Sequence, residues 1–186
     1  AMFFTMQGVG AFKDERGSNM LDSGAHFYDT YETSDGKYIS LGSIEPQFYA
    51  LLLDKAGLDK EEFSAQMDQS RWPAYKEKIT AVFKTKTRDE WCDLMEGSDV
   101  CFAPVLSLTE VHEHPHNASR NTFVELDGLM QPAPSPRFSR SEAQLTHGTR
   151  IAGEDTAAVL QGAGCSVEQI ESLVAAGVVS VGGTGE

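Results

Sequence analysis

The stretch Gly24–Leu53, GAHFYDTYETSDGKYISLGSIEPQFYALLL, decides the fold class. Its aromatic-rich run from His26 to Tyr31, the Asp35-Gly36 pair and the alternation of Tyr38, Ser40 and Gly42 within Lys37–Gly42 predict a β-hairpin. A helix follows at once. Pro46 suits a first helical position, where its missing N–H would have no intrahelical partner, and Gly57 suits the residue that ends the helix.

Working outward, two further helices are expected around Lys60–Asp68 and Pro73–Phe83. A fourth begins at Thr87, with Glu90 three residues later completing a capping box and placing Trp91, Leu94 and Met95 on one apolar face. After a turn at Gly97-Ser98, VCFAPVLS is expected as a short buried strand in which Pro104 favours an edge or an end. Leu108–Val111 is expected to be helical, with the helix ending before Pro115. A second hairpin follows in TFVELDGLMQ, turning at Asp127-Gly128. QPAPSPRFSRS is proline-spaced, extended chain of linker type. The tail carries two amphipathic helices, Gly153–Gly162 and Ser166–Ala176, the second opened by a Ser166/Gln169 capping box. No internal repeat is present. The expected fold class is α+β: a small domain with a short β-sheet and packed helices, then a C-terminal linker and a helical tail.

The chain's 186 residues suffice for one ordinary domain, or a small one with an appendage, and a 40% hydrophobic content is that of a folded protein. Fifteen Lys plus Arg against 28 Asp plus Glu leave a formal charge of −13, which repels phosphate backbones and anionic lipid surfaces. No nucleic-acid partner is expected. No apolar run approaches the roughly 20 residues needed to cross a bilayer, and no basic-then-apolar leader is seen, so the expectation is a soluble, cytoplasmic protein without membrane attachment. Cys92, Cys101 and Cys165 are odd in number and widely spaced, which fits reduced thiols serving as core filler.

Two local patterns bear on chemistry. VHEHPHN, Val111–Asn117, formally matches H-E-x-x-H, in which two histidines one turn apart hold zinc and a glutamate activates water. Pro115 lies between the histidines, lacks an N–H and disfavours helical geometry at His114, so His112 and His116 do not share a helix face and no metal is expected. In GSIEPQFY, Glu45 stands where a strand hands over to a helix, a place where polar side chains often face a cleft. An acid there also simply favours the helix dipole, by ~0.3–1 kcal/mol. Spacing alone does not choose between these readings. Walker loops, G-x-G-x-x-G after a strand and G-x-S-x-G elbows are all absent. Tyr28, Phe48, Trp72 and Trp91 lie in apolar patterns with no basic stripe beside them, as core side chains do.

Longer segments carry a resemblance. ERGSNMLDSGAHFYDTYETSDGKYISLGSIEPQFYALLL (Glu15–Leu53), CFAPVLSLTEVHEHPHNASRNTFVELDGLMQPAPSPRFSR (Cys101–Arg140) and GEDTAAVLQGAGCSVEQIESLVAAGVV (Gly153–Val179) resemble the C-terminal half, small domain included, of α-methylacyl-CoA racemases in the family III CoA-transferase superfamily. The racemase branch is favoured by Ile44–Tyr49, IEPQFY, and by the absence of the run of glycines that formyl-CoA transferases carry in this domain. The implied layout is the end of an inter-domain linker at 1–21, the small domain at 22–110, a return linker at 111–150 and a C-terminal helical segment at 151–186.

The resemblance implies inversion of the 2-methyl centre of a 2-methylacyl-CoA thioester by α-proton abstraction and reprotonation from the opposite face. Such chemistry needs two proton carriers flanking an enolate-like intermediate and donors where charge builds on the thioester oxygen. In the family the carriers are a histidine and an aspartate of a large domain, which would precede Ala1. The small-domain glutamate beside that histidine maps onto Glu45, and Leu21, Tyr28 and Ile44 map onto positions flanking the acyl chain. Acyl-CoA is then substrate and no cofactor or metal is implied. Homodimerisation is implied, and so is inactivity of this chain without the large domain. The alternatives are a family III CoA-transferase acting between two acids, or a non-catalytic oligomerisation or interaction module.

Overall fold

The computed structural model describes residues 2–182. Ala1 and residues 183–186, at the ends of the expected first and last segments, lie outside the described residues. The chain forms two compact units, Ala1–Ser107 and Leu108–Glu186.

The first unit runs α1 (Met2–Gly8), β1 (Thr30–Glu32), β2 (Tyr38–Leu41), α2 (Pro46–Ala56), α3 (Trp72–Phe83), α4 (Arg88–Met95) and β3 (Phe102–Val105). The three strands form an antiparallel sheet in the order β1-β2-β3. Tyr31 faces Ile39 across the hairpin, and Gly36 supplies the positive φ of 75° that its turn needs. The inward residues of β2 are Ile39 and Leu41, while Tyr38 points to solvent. Pro104 sits opposite Ile39 on the edge strand β3, where its missing donor costs no ladder bond. That strand alternates half-buried and exposed residues, so the expected burial is corrected: an edge strand covers one face only.

Helices close over the sheet's inner side. Helix α2 buries Tyr49, Leu52, Leu53 and Ala56 and ends at Gly57 in the left-handed region, with φ 67°. Helix α3 buries Trp72, Tyr75, Ile79 and Phe83, spaced three and four apart as one helix face requires. The Thr87/Glu90 capping box is present, and α4 buries Trp91 and Met95. Leu94 is a correction, being 40% exposed on the flank of that face. The buried Arg88 guanidinium donates to the Val105 carbonyl (3.2 Å) and to Asp89 Oδ1 (3.1 Å), tying α4 to β3.

The expected helix over Lys60–Asp68 is absent, and its carbonyls show why. Tyr75 Oη donates to the Glu62 carbonyl (2.6 Å), Tyr49 Oη to that of Phe63 (3.1 Å) and Trp72 Nε1 to that of Gln66 (2.8 Å). The Glu62 and Phe63 carbonyls, which a helix would bond to amides four residues on, are taken instead by side-chain donors from α2 and α3, and the Gln66 carbonyl is drawn to the start of α3. The Asp59 carboxylate meanwhile accepts the amides of Glu61 and Glu62, closing a local turn. Phe63 is thereby driven into the core at 1% exposure.

In the second unit, residues 108–113 are turns, so the expected helix before Pro115 is also corrected. Pro115 instead opens a short helix, α5 (Pro115–Ser119), with His114 in extended geometry before it. Strands β4 (Phe123–Leu126) and β5 (Leu129–Pro132) pair across Asp127-Gly128, both at positive φ as a primed hairpin turn demands. Residues 133–150 are irregular, and α6 (Thr156–Gly162) and α7 (Val167–Ala175) follow, the latter with its Ser166/Gln169 capping box. Among the described residues of this unit, Ile170 is the buried apolar side chain.

All three cysteines are free. Cys92 and Cys165 are half-buried, and burial, with Glu96 nearby, pushes the Cys92 thiol up to about 11. Cys101 is exposed, so it is not core filler.

Candidate functional site

Between the end of β2 and the start of α2 lie four residues, Gly42 to Glu45, held from several sides. The Gly42 amide donates to the Cys101 carbonyl (2.8 Å) and the Ser43 amide to the Phe27 carbonyl (3.0 Å). Ser43 is fully buried, so its hydroxyl needs a partner, and it donates to the Val100 carbonyl at 2.5 Å. The Gln66 side-chain amide donates to the carbonyls of Ser43 (3.1 Å) and Ile44 (2.9 Å). Backbone, hydroxyl and amide therefore fix this short loop against β3 and the Phe63–Gln66 turn.

Glu45 stands at the end of it, in extended geometry (φ −69°, ψ 142°), as the N-cap of α2. Its carbonyl accepts the Tyr49 amide, which starts the helix, while its carboxylate caps nothing and is exposed. The carboxylate acts electrostatically on its surroundings: the Cys101 thiol is raised by partial burial and by the negative charges of Glu45 and Asp99. Cys101 itself has a φ of 57°, in the left-handed region.

A shallow groove of about 390 Å³ runs past this loop, lined by Tyr28, Gly42, Cys101 and Phe102 among others. A Cβ built on Gly42 would stand 3.7 Å from Tyr28 Cε2, which places the tyrosine ring directly beside the loop. Tyr28 and Ile44 are both half-buried and pack against the core. Leu21 is 39% exposed, lies in the Asn19–Gly24 turn and is not among the groove's lining residues. Of the four residues singled out from the sequence, Ile44 and Glu45 belong to the loop, Tyr28 lines the groove beside Gly42, and Leu21 lies in neither.

Behind the loop lies a buried histidine that the strand pattern gave no reason to single out. His26 Nε2 is 2.7 Å from Tyr49 Oη, whose proton goes to the Phe63 carbonyl. The tyrosine oxygen therefore accepts from Nε2–H, and Nδ1, buried without a partner, carries the lone pair. Burial, helped by the positive charge of Lys76, pushes the imidazole down to about 4. Burial likewise raises the Tyr49 phenol. His26 lies in the turn before β1, since the expected strand from His26 to Tyr31 begins only at Thr30, and it is a neutral structural link from that turn to α2.

The histidines of VHEHPHN take separate stations: His112 in a turn, His114 as the cap residue and His116 on α5. Among the described residues no group of three or more His, Cys, Asp or Glu side chains is placed to hold a metal ion, and no helix is long and apolar enough to cross a membrane.

The family model described as CoA-transferase family III matches residues 2–156. The chain is 45% identical over 170 residues to the α-methylacyl-CoA racemase of Mus musculus and 40% identical over 177 residues to that of Homo sapiens, in each case over 90% of this chain. It spans 44% of the length of each of these two relatives. Among solved structures, a CaiB/BaiF family protein from Brucella suis aligns with a TM-score of 0.61 at 19% identity, covering 86% of this chain and 43% of that one. That likeness shows the fold, a mixture of helices and small antiparallel sheets. With the family model matching most of its length, the chain belongs to CoA-transferase family III.

Proposed function

We propose that this chain forms the small-domain part of a 2-methylacyl-CoA racemase and that Glu45 is its contribution to proton transfer. The observation that carries this reading is the exposed Glu45 carboxylate on a loop pinned by five hydrogen bonds, three donated by the loop to surrounding backbone carbonyls and two donated to it by Gln66. Such rigidity suits a carboxylate whose work is to orient a histidine on a facing element and hold it in the protonation state the reaction needs. Ile44 and Tyr28 would flank the acyl chain, with Leu21 at the margin. The relatives' racemase activity favours this branch over CoA transfer between acids. The substrate class is a branched, fatty-acid-derived acyl-CoA. It supplies its own thioester activation, so the reaction calls for no separate cofactor or metal.

The free cysteines and the acidic surface fit a reducing, cytoplasmic setting. We read the working form as a homodimer, supported by the apolar side chains left at the surface of α1, α6 and α7, such as Phe4 and Val159. The 186-residue chain by itself is expected not to invert its substrate, since one carboxylate cannot serve both faces of an enolate.

The test joins this chain to the preceding part of the mouse racemase and follows deuterium entry at the α-carbon of a chiral 2-methylacyl-CoA in heavy water. Exchange is expected in the joined protein and not in the chain alone. Glu45→Gln is expected to lower the rate by about 10²-fold. A Glu45→Gln variant as fast as the parent would sink the reading, and CoA exchange between carboxylates without α-exchange would favour the transferase branch.

A further inference from the structure

We infer that Gln66 is a positioning residue for Glu45, a role that rests on the reading of Glu45 given above. The side-chain amide of Gln66 has two N–H groups, and they are within reach of two consecutive carbonyls, those of Ser43 (3.1 Å) and Ile44 (2.9 Å). These carbonyls belong to the peptide planes on either side of Ile44. Tying both to one planar amide restrains the φ and ψ of Ile44, and with them the direction in which the chain delivers Glu45 to the start of α2. The Ser43–Ile44 plane is also held by its own amide, which donates to the Gly42 carbonyl (2.9 Å), so the bond from Gln66 to the Ile44 carbonyl is the one that keeps the Ile44–Glu45 plane from turning.

The clamp is itself braced. Trp72, 4% exposed, donates its indole N–H to the Gln66 carbonyl (2.8 Å), so the glutamine backbone is anchored to the start of α3. On the opposite side, the Ser43 hydroxyl and amide reach Val100 and Phe27. The loop is thus gripped between two rigid bodies, with Gln66 the only side chain outside the loop that donates to its carbonyls among the described hydrogen bonds. The turn over residues 60–68 acquires a purpose from this: a helix there would carry the Gln66 side chain around with the helical twist. The ring donors that stop the helix also aim the amide.

Two measurements test the inference. In the unmodified 186-residue chain, the Gln66 side-chain amide protons are expected to exchange with water about tenfold more slowly than those of exposed Gln47, by nuclear magnetic resonance. Equal rates overturn the clamp. In the joined enzyme described above, Gln66→Leu is expected to lower the α-exchange rate about tenfold in the parent background and less than about twofold when Glu45→Gln is already present. Full additivity, or a Gln66→Leu variant with parental rate, overturns the positioning role even where Glu45→Gln alone is damaging. If Glu45→Gln is silent, the reading of Glu45 fails first and the catalytic part of this inference goes with it, whatever the exchange rates show. Should Gln66→Leu not fold, Gln66→Glu takes its place, since it keeps the volume and replaces the donors with acceptors.

Discussion

The two units are held by different means. In Ala1–Ser107 one continuous core joins the sheet to α2, α3 and α4, and the polar tips of Tyr31, Tyr49, Tyr75, Trp72 and Trp91 all end on backbone carbonyls. In Leu108–Glu186 apolar side chains such as Leu129, Phe138, Ile151 and Val159 stay exposed, and order comes from local devices: a primed hairpin turn, a capping box and a short helix pair. The contrast separates two sources of structure. Long-range burial lets the first unit hold a loop in one position, whereas local propensity can shape elements without building an interior.

The most forceful way to break the contrast is to truncate a buried side chain in each unit. Trp91→Ala removes a side chain buried to 1%, and is expected to destabilise the first unit by about 3–5 kcal/mol, read from urea unfolding followed by circular dichroism. Ile170→Ala in the second unit is expected to cost less, about 2 kcal/mol, and to melt α6 and α7 without moving the first unit's transition. A shift of both transitions by either change would show that the units are one cooperative body.

Acid should sharpen the difference next. The folded pKa of His26 lies near 4, below its ordinary 6.5, so between these values the unfolded chain takes a proton that the folded chain refuses. Stability is then complete above pH 6.5 and is lost as pH falls toward 4, with about 2 kcal/mol gone between pH 7 and pH 5. The loss is confined to the first unit. His26→Phe should flatten the slope over that window, and an unchanged slope would assign it to other groups.

The smallest effect compares like with like. Thr87 and Ser166 are both N-caps in complete capping boxes, one beside a core and one not. Each alanine variant is expected to cost about 1 kcal/mol. In the first unit that appears as a shifted midpoint of a cooperative transition, and in the second as lost helix signal at low denaturant.

The elements legible in the sequence were those set by local chemistry. Asp35-Gly36 and Asp127-Gly128 marked their turns, Pro46 and Gly57 marked the ends of α2, and both capping boxes stood where residue types three apart placed them. The Lys60–Asp68 segment departs from its helical pattern because its fate is decided by Tyr49, Tyr75 and Trp72, donors that lie outside the segment. Pro115 starts a helix rather than stopping one, as the missing N–H that suits Pro46 to a first helical position allows equally here. At the site, resemblance pointed to Glu45, but Gln66 was invisible for the reason that made its segment look helical. Its role depends on which way a turn faces.

The placement of the two indoles has a practical consequence for spectroscopy. Both tryptophans of the chain, Trp72 and Trp91, lie in the first unit, each buried and each donating to a carbonyl. Intrinsic emission excited at the indole band therefore reports on that unit alone, while far-ultraviolet ellipticity sums over both. Two unfolding curves that fail to superimpose would in this protein record two optical fields of view, one blind to everything after Ser107, before they recorded any intermediate.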